Sequence, residues 1–327
     1  MAEKADNQGP APKETTFRSF TPEQSANYAE NRLDYHPRLY NLVLSHHQST
    51  GGQLDTLLDV GCGPGTAVRS LASVFNHALG IDPSEGMITT ARSIGGVTHT
   101  DETIRFEACT IDDVSAQTPT ATSPGPLQAA GSVDLITAAT AAHWFDMAVF
   151  WPRAARLLKP GGSVALWVSG PILVDPSMPG GVAIQAAIDG FEQALDAYMV
   201  PGNRVGRGLY VDLTLPWMLE APVPEFERDS FLRKEWDVGE GKEPIDEFYR
   251  NQRPPNVDVL VMVLATASPY IRWREANAGS VGTEADPLQV MRKEIEKVMQ
   301  DAGMDPKTGL IEGGVGAALL MVKKKAD

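Results

Sequence analysis

The chain has 327 residues, of which 43% are hydrophobic and 21% charged, a composition typical of soluble globular proteins with one large or two smaller domains. Its formal net charge of -14 argues against a nucleic-acid partner, because binding phosphates requires a basic surface. Two cysteines cannot build a disulfide framework, and no apolar run is long enough to span a bilayer. We therefore expect a cytoplasmic protein without a membrane partner.

The first half of the chain alternates between strand-like and helix-like segments. Residues 1–16 mix Pro, Lys, Glu, Asp and Ala without an apolar centre, and are predicted to form a disordered tail. Strands are then predicted at 55–60, 78–81, 104–110, 133–139 and 163–168, and helices at 66–75, 84–94 and 146–158. A turn is predicted at 159–162 and a surface insertion at 117–131. Such alternation predicts a parallel, doubly wound α/β sheet.

The second half of the chain does not continue this regular alternation of strands and helices. Helices are predicted at 182–199, 245–250, 257–267 and 288–302, and strands at 226–236 and 316–322. We interpret 17–170 as a ligand-binding core, and 171–225 with 240–285 as a helical cap over the carboxyl edge of the sheet. Residues 226–236 and 286–327 would complete the core. The resulting prediction is a Rossmann-like sheet of seven strands with a cap inserted after strand five.

A glycine-rich loop follows the first predicted strand. The sequence from Leu57 to Gly65 reads LLDVGCGPG, with glycines at 61, 63 and 65. The first glycine comes two residues after Asp59, and Cys62 lies between the first and the second. Glycine lets a backbone turn tightly and lets a ligand approach it closely. The spacing is not the G-x-G-x-x-G of dinucleotide sites, and no phosphate-binding P-loop motif is present. A turn between strand and helix without a ligand is the plain alternative.

Further candidate residues follow the next three strands. Asp82 ends the second strand, where a carboxylate can accept hydrogen bonds from ribose hydroxyls, and Met87 follows it. Ile111 and Asp112 follow the third strand, although Asp112 is also compatible with a solvated turn. The fourth strand is followed by AHWFD, which contains His143, Trp144 and Phe145. Aromatic side chains at this edge belong in a pocket, although a lone histidine is often structural. No metal-binding motif is present.

Together these motifs resemble those of class I S-adenosylmethionine-dependent methyltransferases over residues 56–168. The resemblance implies S-adenosylmethionine as cofactor. The cofactor-binding residues would be Asp59, Gly61, Cys62, Gly63, Gly65, Asp82, Met87, Ile111 and Asp112. Asp112 would take the adenine amino group, with Ile111 and Met87 against the adenine ring. The segment RLLKPGG at 156–162 is typical of the same class.

A narrower resemblance is to the fungal trans-aconitate methyltransferase group, which includes a cantharidin-detoxifying enzyme. It rests on AHWFD and on Tyr28, Arg32 and Tyr35 near the N-terminus. It implies that this N-terminal segment closes over the cofactor, with Arg32 near the methionine carboxylate and Tyr28 beside it. Leu33 departs from the family's usual proline, and an ordinary amphipathic helix is the alternative interpretation.

The resemblance implies O-methylation of a small metabolite, with a carboxylic acid favoured as acceptor. His143 and Trp144 would be catalytic, and His143 would act as base if the acceptor were a hydroxyl. Tyr35, Phe145, Arg207, Tyr210 and Trp217 are the candidate substrate-binding residues, although the last three are equally compatible with a surface loop. Three alternatives remain: an enzyme using the sulfonium charge to steer a cyclisation, a non-catalytic partner subunit, and a nicotinamide dehydrogenase. We expect a monomer or homodimer.

Overall fold

The fold is built on one mixed sheet in the computed structural model, which describes residues 16–18, 20–31, 34–116, 129–236 and 254–326. The strands are β1 (Thr56–Val60), β2 (His77–Asp82), β3 (Arg105–Ala108), β4 (Val133–Ala139), β5 (Leu158–Val174), β6 (Phe226–Trp236) and β7 (Gly313–Lys324). Their order in the sheet is β3-β2-β1-β4-β5-β7-β6, and only β7 runs antiparallel to its two neighbours. The predicted seven-stranded Rossmann-like architecture is confirmed.

Helices cover both faces of this sheet. They are α1 (Pro22–Asn31), α2 (Pro37–Ser49), α3 (Thr66–Ala72), α4 (Glu85–Ile94), α5 (Ile111–Ala116), α6 (Met147–Leu157), α7 (Gly181–Ala194), α8 (Pro201–Arg207), α9 (Val257–Ala265), α10 (Ser268–Ala276) and α11 (Pro287–Asp301). Leu57 and Leu58 are both fully buried, because successive residues of a strand point to opposite faces. Leu58 packs in the cluster that contains Trp151 of α6, and Leu57 in the cluster that contains Trp167.

Side-chain caps fix where two of the site-bearing helices begin. The Ser84 hydroxyl accepts the Met87 N–H at 3.3 Å and starts α4. The Asp146 carboxylate accepts the Ala148 N–H at 3.0 Å and starts α6. α4 therefore begins shortly after β2 ends, and α6 begins after the short 3-10 turn that follows β4.

The predicted boundaries of β5 are wrong at both ends. Val133 of β4 pairs with Leu158 and Leu135 pairs with Ser163, so the predicted turn at 159–162 is a bulge within the strand. Gly161 permits this bulge with φ at +74°. β5 also continues past the predicted end at 168 as far as Val174, because β7 begins at Gly313 and pairs with that extension.

The cap has an apolar core of its own. Ile188 of α7, Leu260 of α9 and Ile295 of α11 belong to one buried cluster, separate from the two that flank the sheet. Residues 286–327 were assigned to the core domain, whereas α11 packs with these cap helices. The predicted helix 182–199 stops at Ala194 and is followed by a short 3-10 turn.

Four helices, α2, α5, α8 and α10, were not predicted. α8 contains Pro201, Gly202 and Gly206, which are poor helix formers, so packing rather than propensity determines it. The predicted helix 245–250 and almost all of the insertion 117–131 lie outside the described residues. The tail was predicted to include Thr16, but Thr16 is buried and its hydroxyl accepts a hydrogen bond from Arg272 of α10 at 2.8 Å.

Candidate active site

A cavity of about 360 Å³ lies at the carboxyl ends of β1, β2 and β4. The sequence-predicted residues that line it are Tyr28, Tyr35, Gly61, Cys62, Gly63, Asp82, Met87, Ile111, Asp112, Trp144 and Phe145. Those that do not line it are Asp59, Gly65, His143, Arg207, Tyr210 and Trp217. Arg32 lies outside the described residues.

The glycine loop after β1 forms one wall of the cavity. The Gly61 N–H donates to the Ile81 carbonyl at 2.8 Å, and the Gly63 N–H donates to Asp82 Oδ2 at 3.0 Å. A Cβ on Gly61 would lie 2.7 Å from the Cβ of Ala141, so only glycine lets the β1 and β4 loops meet here. A Cβ on Gly63 would meet no protein atom within 4 Å, since that backbone faces open cavity space.

The Asp82 carboxylate is held rigidly at the end of β2. Oδ1 accepts the Ser84 N–H at 2.8 Å while Oδ2 accepts the Gly63 N–H. Burial raises the pKa of Asp82, and these two N–H groups and the positive charge of Arg18 oppose that shift. The carboxylate therefore has a fixed orientation at the cavity wall, with further lone pairs for a ligand.

Asp59 lies behind the loop rather than at the cavity. Its side chain is fully buried, and Oδ1 accepts the Thr137 hydroxyl at 2.7 Å. Burial raises the pKa of Asp59 to about 7, an effect reinforced by the charge of Asp82 and opposed by the Thr137 hydrogen bond. Its position suits a structural link between β1 and β4, which pair directly.

Aromatic rings form the opposite wall. Trp144 lies in a 3-10 turn at Ala142–Trp144 after β4, and its ring centroid is 6.4 Å from that of Phe17. Phe17 in turn makes an edge contact with Tyr28 of α1 at 5.7 Å. The Tyr35 hydroxyl donates to Thr140 Oγ1 at 3.0 Å. The N-terminal segment thus lies beside the aromatic residues that follow β4.

His143 points away from the cavity and into the cap. Its Nδ1 is 3.2 Å from the Tyr210 hydroxyl, and its ring is tilted against that of Trp144 with centroids 4.4 Å apart. α8 packs directly on this turn, since a Cβ on Gly202 would lie 2.6 Å from the Trp144 ring. A Cβ on Gly206 would lie 3.3 Å from His143 Nδ1.

The other predicted site residues have structural partners. Asp112 lines the cavity but also accepts a hydrogen bond from Arg153 Nε at 3.1 Å. Arg207 forms an ion pair with Glu192. Trp217 packs edge-on against Phe231 with ring centroids 5.4 Å apart. Gly65, with φ at +87°, lies where a Cβ would be 2.7 Å from the Phe106 ring. It is therefore required for packing.

Several cavity residues were missed by the sequence analysis. These are Phe17, Arg18, Val60, Pro64, Thr66, Ala67, Pro83, Cys109, Thr110, Ala139, Thr140, Ala141, Asp146, Val149 and Phe150. Phe17 and Phe20 flank Arg18, and two phenylalanines next to a polar tail are the signal that could have placed this segment in the structure.

Comparison with known proteins identifies the family. Residues 58–166 match a methyltransferase domain family. A Dictyostelium discoideum protein named as a methyltransferase is 30% identical over 204 residues, which are 62% of this chain and 68% of that protein. The chain belongs to the class I S-adenosylmethionine-dependent methyltransferases. It is therefore an enzyme with S-adenosylmethionine as cofactor, and the alternatives of a nicotinamide dehydrogenase and of a non-catalytic subunit are wrong.

Two further comparisons concern the extent of this methyltransferase's similarity. The Saccharomyces cerevisiae protein CRG1, described as an S-adenosylmethionine-dependent methyltransferase, is 29% identical over 144 residues, 44% of this chain and 45% of that protein. This methyltransferase thus spans about two thirds of the Dictyostelium relative and under half of the yeast one. A structure described as a type II methyltransferase from Anaeromyxobacter dehalogenans has a TM-score of 0.54 at 22% identity, covering 90% of this chain and 97% of that one. That similarity supports the fold.

Metal-binding clusters and membrane-spanning helices are both absent from the part of this methyltransferase that the structure describes. The described residues contain no group of three or more His, Cys, Asp or Glu side chains arranged to hold a metal ion. No helix among them is both long and apolar enough to cross a bilayer.

Proposed function

We propose that the enzyme transfers a methyl group to an oxygen atom of a small molecule held against Trp144 and Phe145. The observation that carries this proposal is a single cavity that has the glycine loop and Asp82 at one side and aromatic rings at the other. The first side has the residue types that hold an adenosine group. The second side has the apolar, concave character of a small-molecule site.

The cofactor side of the cavity fits S-adenosylmethionine. The open space in front of Gly63 allows a ligand to contact the backbone, and the fixed Asp82 carboxylate can accept from the two ribose hydroxyls. Met87 and Ile111 supply buried apolar surface for the adenine ring, with Asp112 nearby for its amino group. The carboxylates of Asp82, Asp112 and Asp146 also favour a ligand that carries positive charge.

The protein's contribution to the reaction is alignment and exclusion of water. When bound, S-adenosylmethionine supplies an activated methyl group on a sulfonium. Trp144 and Phe145 hold the acceptor in line with it, and such orientation accounts for as much as about 7–11 kcal/mol in well-aligned reactions. Phe17 and Tyr28 cover the cavity from the N-terminal side and keep water out.

His143 takes a different role here from the base expected from the sequence. Its ring does not line the cavity, and its Nδ1 contacts Tyr210 within the cap. We therefore assign His143 as a positioning residue, which holds the turn that carries Trp144. Arg207, Tyr210 and Trp217 belong to the supporting structure rather than to the acceptor site in this proposal.

A pair of tryptophan variants tests the proposal. The full chain is incubated with S-adenosylmethionine and a panel of hydroxyl and carboxyl compounds, and S-adenosylhomocysteine is measured. Trp144→Leu should lower turnover at least tenfold while S-adenosylhomocysteine affinity stays within twofold. Trp217→Leu, which alters a ring packed on Phe231 away from the cavity, should retain turnover.

Two outcomes would contradict the proposal. Full turnover by Trp144→Leu would show that the acceptor does not bind against the Trp144 ring. Conversion of a substrate to an isomer without formation of S-adenosylhomocysteine would instead favour an enzyme that uses the sulfonium charge to steer a cyclisation.

A further inference from the structure

We infer that the acceptor is an uncharged aromatic compound that is methylated on a hydroxyl group, and that di- and tricarboxylic acids are poor ligands. The inference rests on the proposed function, because it concerns the acceptor side of the same cavity. It reverses the preference for a carboxylic acid that the sequence resemblance implied.

The acceptor side of the cavity consists mainly of aromatic rings. Phe17, Tyr28, Tyr35, Trp144 and Phe145 reach it from both the N-terminal segment and the loop after β4. Aromatic rings prefer edge-to-face or offset contacts with other rings, and such contacts add binding energy beyond the burial of apolar area. A planar aromatic acceptor can make several of these contacts at once, whereas an aliphatic polycarboxylate can make none.

The charged residues that line the cavity also favour an uncharged acceptor. Among its described lining residues the cavity has three carboxylates, Asp82, Asp112 and Asp146, but only one cationic side chain, Arg18. A carboxylate loses hydration when it enters such a site, and without a cationic partner this cost is large. Asp146, which follows Phe145 in the loop after β4, is the lining carboxylate on the acceptor side, and a di- or tricarboxylate would bring two or three further negative charges beside it. The overall charge of -14 also slows the approach of polyanions.

Arg18, the one cationic side chain among the described lining residues, acts mainly on the cofactor side of the cavity. Burial raises the pKa of Asp82, and the positive charge of Arg18 partly opposes that rise, so Arg18 acts on the carboxylate at the end of β2. β2 and β4 lie on either side of β1, so their ends are separated by roughly 10 Å at the usual strand spacing of about 4.8 Å. The charge of Arg18 therefore interacts more strongly with the cofactor than with an acceptor held beside Trp144.

Neutral hydrogen-bonding groups are available for a hydroxyl. Thr140, which directly follows β4, lines the cavity, and its Oγ1 accepts from the Tyr35 hydroxyl at 3.0 Å. A hydroxyl can donate as well as accept, so Thr140 can also donate to an acceptor oxygen. In the transfer, a lone pair of that oxygen forms the new O–C bond and the C–S bond breaks with both electrons remaining on sulfur. The hydroxyl proton passes to the Asp146 carboxylate, which lines the cavity and is exposed to solvent, and from there to bulk water.

Direct binding measurements test this inference. Phenols, benzoates of equal size and aliphatic tricarboxylic acids are titrated by calorimetry into the full-length protein loaded with S-adenosylhomocysteine. We expect phenols to bind at least tenfold more tightly than either class of acid, and methyl ethers to be the products of turnover. Acids that bind as tightly as phenols, or methyl esters as the main products, would overturn the inference. So would the absence of any preference.

A cation placed in the cavity provides the matched test. Val149 on α6 lines the cavity and is half-buried. Val149→Lys should strengthen the binding of benzoates and tricarboxylates at least tenfold, whereas Val149→Gln should leave their binding unchanged. No gain from the lysine would contradict the electrostatic argument. Failure of the proposed function is distinguishable, because S-adenosylhomocysteine would then not bind or no compound of any class would be methylated.

Discussion

The Tyr210 hydroxyl lies 3.2 Å from Nδ1 of His143, and this contact joins the cap to the turn that carries Trp144. Tyr210 is buried, and burial raises the pKa of its hydroxyl, which therefore keeps its proton across the physiological range. Its φ of +61° is uncommon for a bulky residue. In the proposed function, Tyr210 positions the His143 ring and, through it, the turn that carries Trp144.

Tyr210→Phe should lower both stability and turnover. Removing the hydroxyl leaves the Nδ1 atom of His143 without this partner, and a lost buried hydrogen bond costs about 1–3 kcal/mol. We expect urea unfolding to show that loss, and the 15N shifts of the His143 ring to change. Tyr198→Phe, which loses a contact to Asn277 in the cap, should leave the His143 shifts unaltered. Unchanged shifts in the Tyr210 variant would contradict the positioning role.

Gly63 and Gly161 have similar backbone conformations, so substituting each of them distinguishes an effect on cofactor binding from the cost of backbone strain. Gly63 has φ at +53° and Gly161 has φ at +74°, and a Cβ at either position meets nothing within 4 Å. Alanine at each should therefore cost a similar amount, about 1–2 kcal/mol, in stability. Only Gly63 lines the cavity, so Gly63→Ala should weaken S-adenosylhomocysteine binding at least tenfold in calorimetry. Equal affinities in the two variants would show that the loop does not contact the cofactor.

Asp82→Asn should weaken the cofactor complex by about 10- to 100-fold. Hydrogen bonds to a charged group are worth about 1.5–3 kcal/mol, and 1.4 kcal/mol corresponds to a factor of ten. Calorimetric titration with S-adenosylhomocysteine measures the change. Asp113→Asn is the control, since Asp113 bonds only locally to the N–H and hydroxyl of Thr110 in the hydrogen bonds described. An unchanged S-adenosylhomocysteine affinity in Asp82→Asn would show that this carboxylate does not bind the cofactor.

Asp59 should make the free energy of unfolding fall as pH rises from about 4 to about 7. Its pKa in the folded state is about 7, above the 3.8 of an exposed aspartate, so the folded protein binds the proton more tightly. This contribution is complete below pH 4 and is lost as pH passes through 7. Asp59→Asn should flatten the slope measured by urea unfolding across this range. Asp113→Asn should not, because its lowered pKa acts below pH 4. A parallel slope for Asp59→Asn would contradict the pKa shift.

Arg272 should hold the N-terminal segment against the cap. Its guanidinium donates to the Thr16 hydroxyl and to the Tyr198 carbonyl, both at 2.8 Å. Arg272→Met should increase chymotryptic cleavage near Phe17 about fivefold and weaken cofactor binding. Arg274→Met, on the same helix but over the Tyr270 ring, should do neither. Equal cleavage of both variants would mean that other contacts secure the segment.

The part of the site that depends on local pattern was predictable, and the part that depends on distant contacts was not. Glycine spacing, the strand-end position of Asp82 and the aromatic turn after β4 all follow from a few adjacent residues, and all reach the cavity. The direction of the His143 ring depends instead on α8, which begins 58 residues further along the chain, and on Tyr210 after it. No local signal shows that a helix with two glycines will pack on that turn.

The same distinction explains the fold. Alternating apolar strands and capped helices predicted the sheet and its helices, because burial on both faces leaves a clear pattern. The extension of β5 to Val174 depends on pairing with β7, and the burial of Thr16 depends on Arg272. Both partners are more than 130 residues distant, so inspection of the local sequence could not reveal them.

The two glycines of α8 also set limits on how acceptor preference can diversify. Gly202 and Gly206 bring the helix backbone against Trp144 and His143 with no side chain between them. A Cβ on Gly202 would lie 2.6 Å from the Trp144 ring and would displace it, whereas a Cβ on Gly206 would lie 3.3 Å from His143 Nδ1 and would require only a slight shift of that ring. Phe17, by contrast, lines the cavity itself and contacts the rings of Tyr28 and Trp144. We therefore expect substitutions that change acceptor preference at Phe17 rather than in α8, none of whose residues lines the cavity.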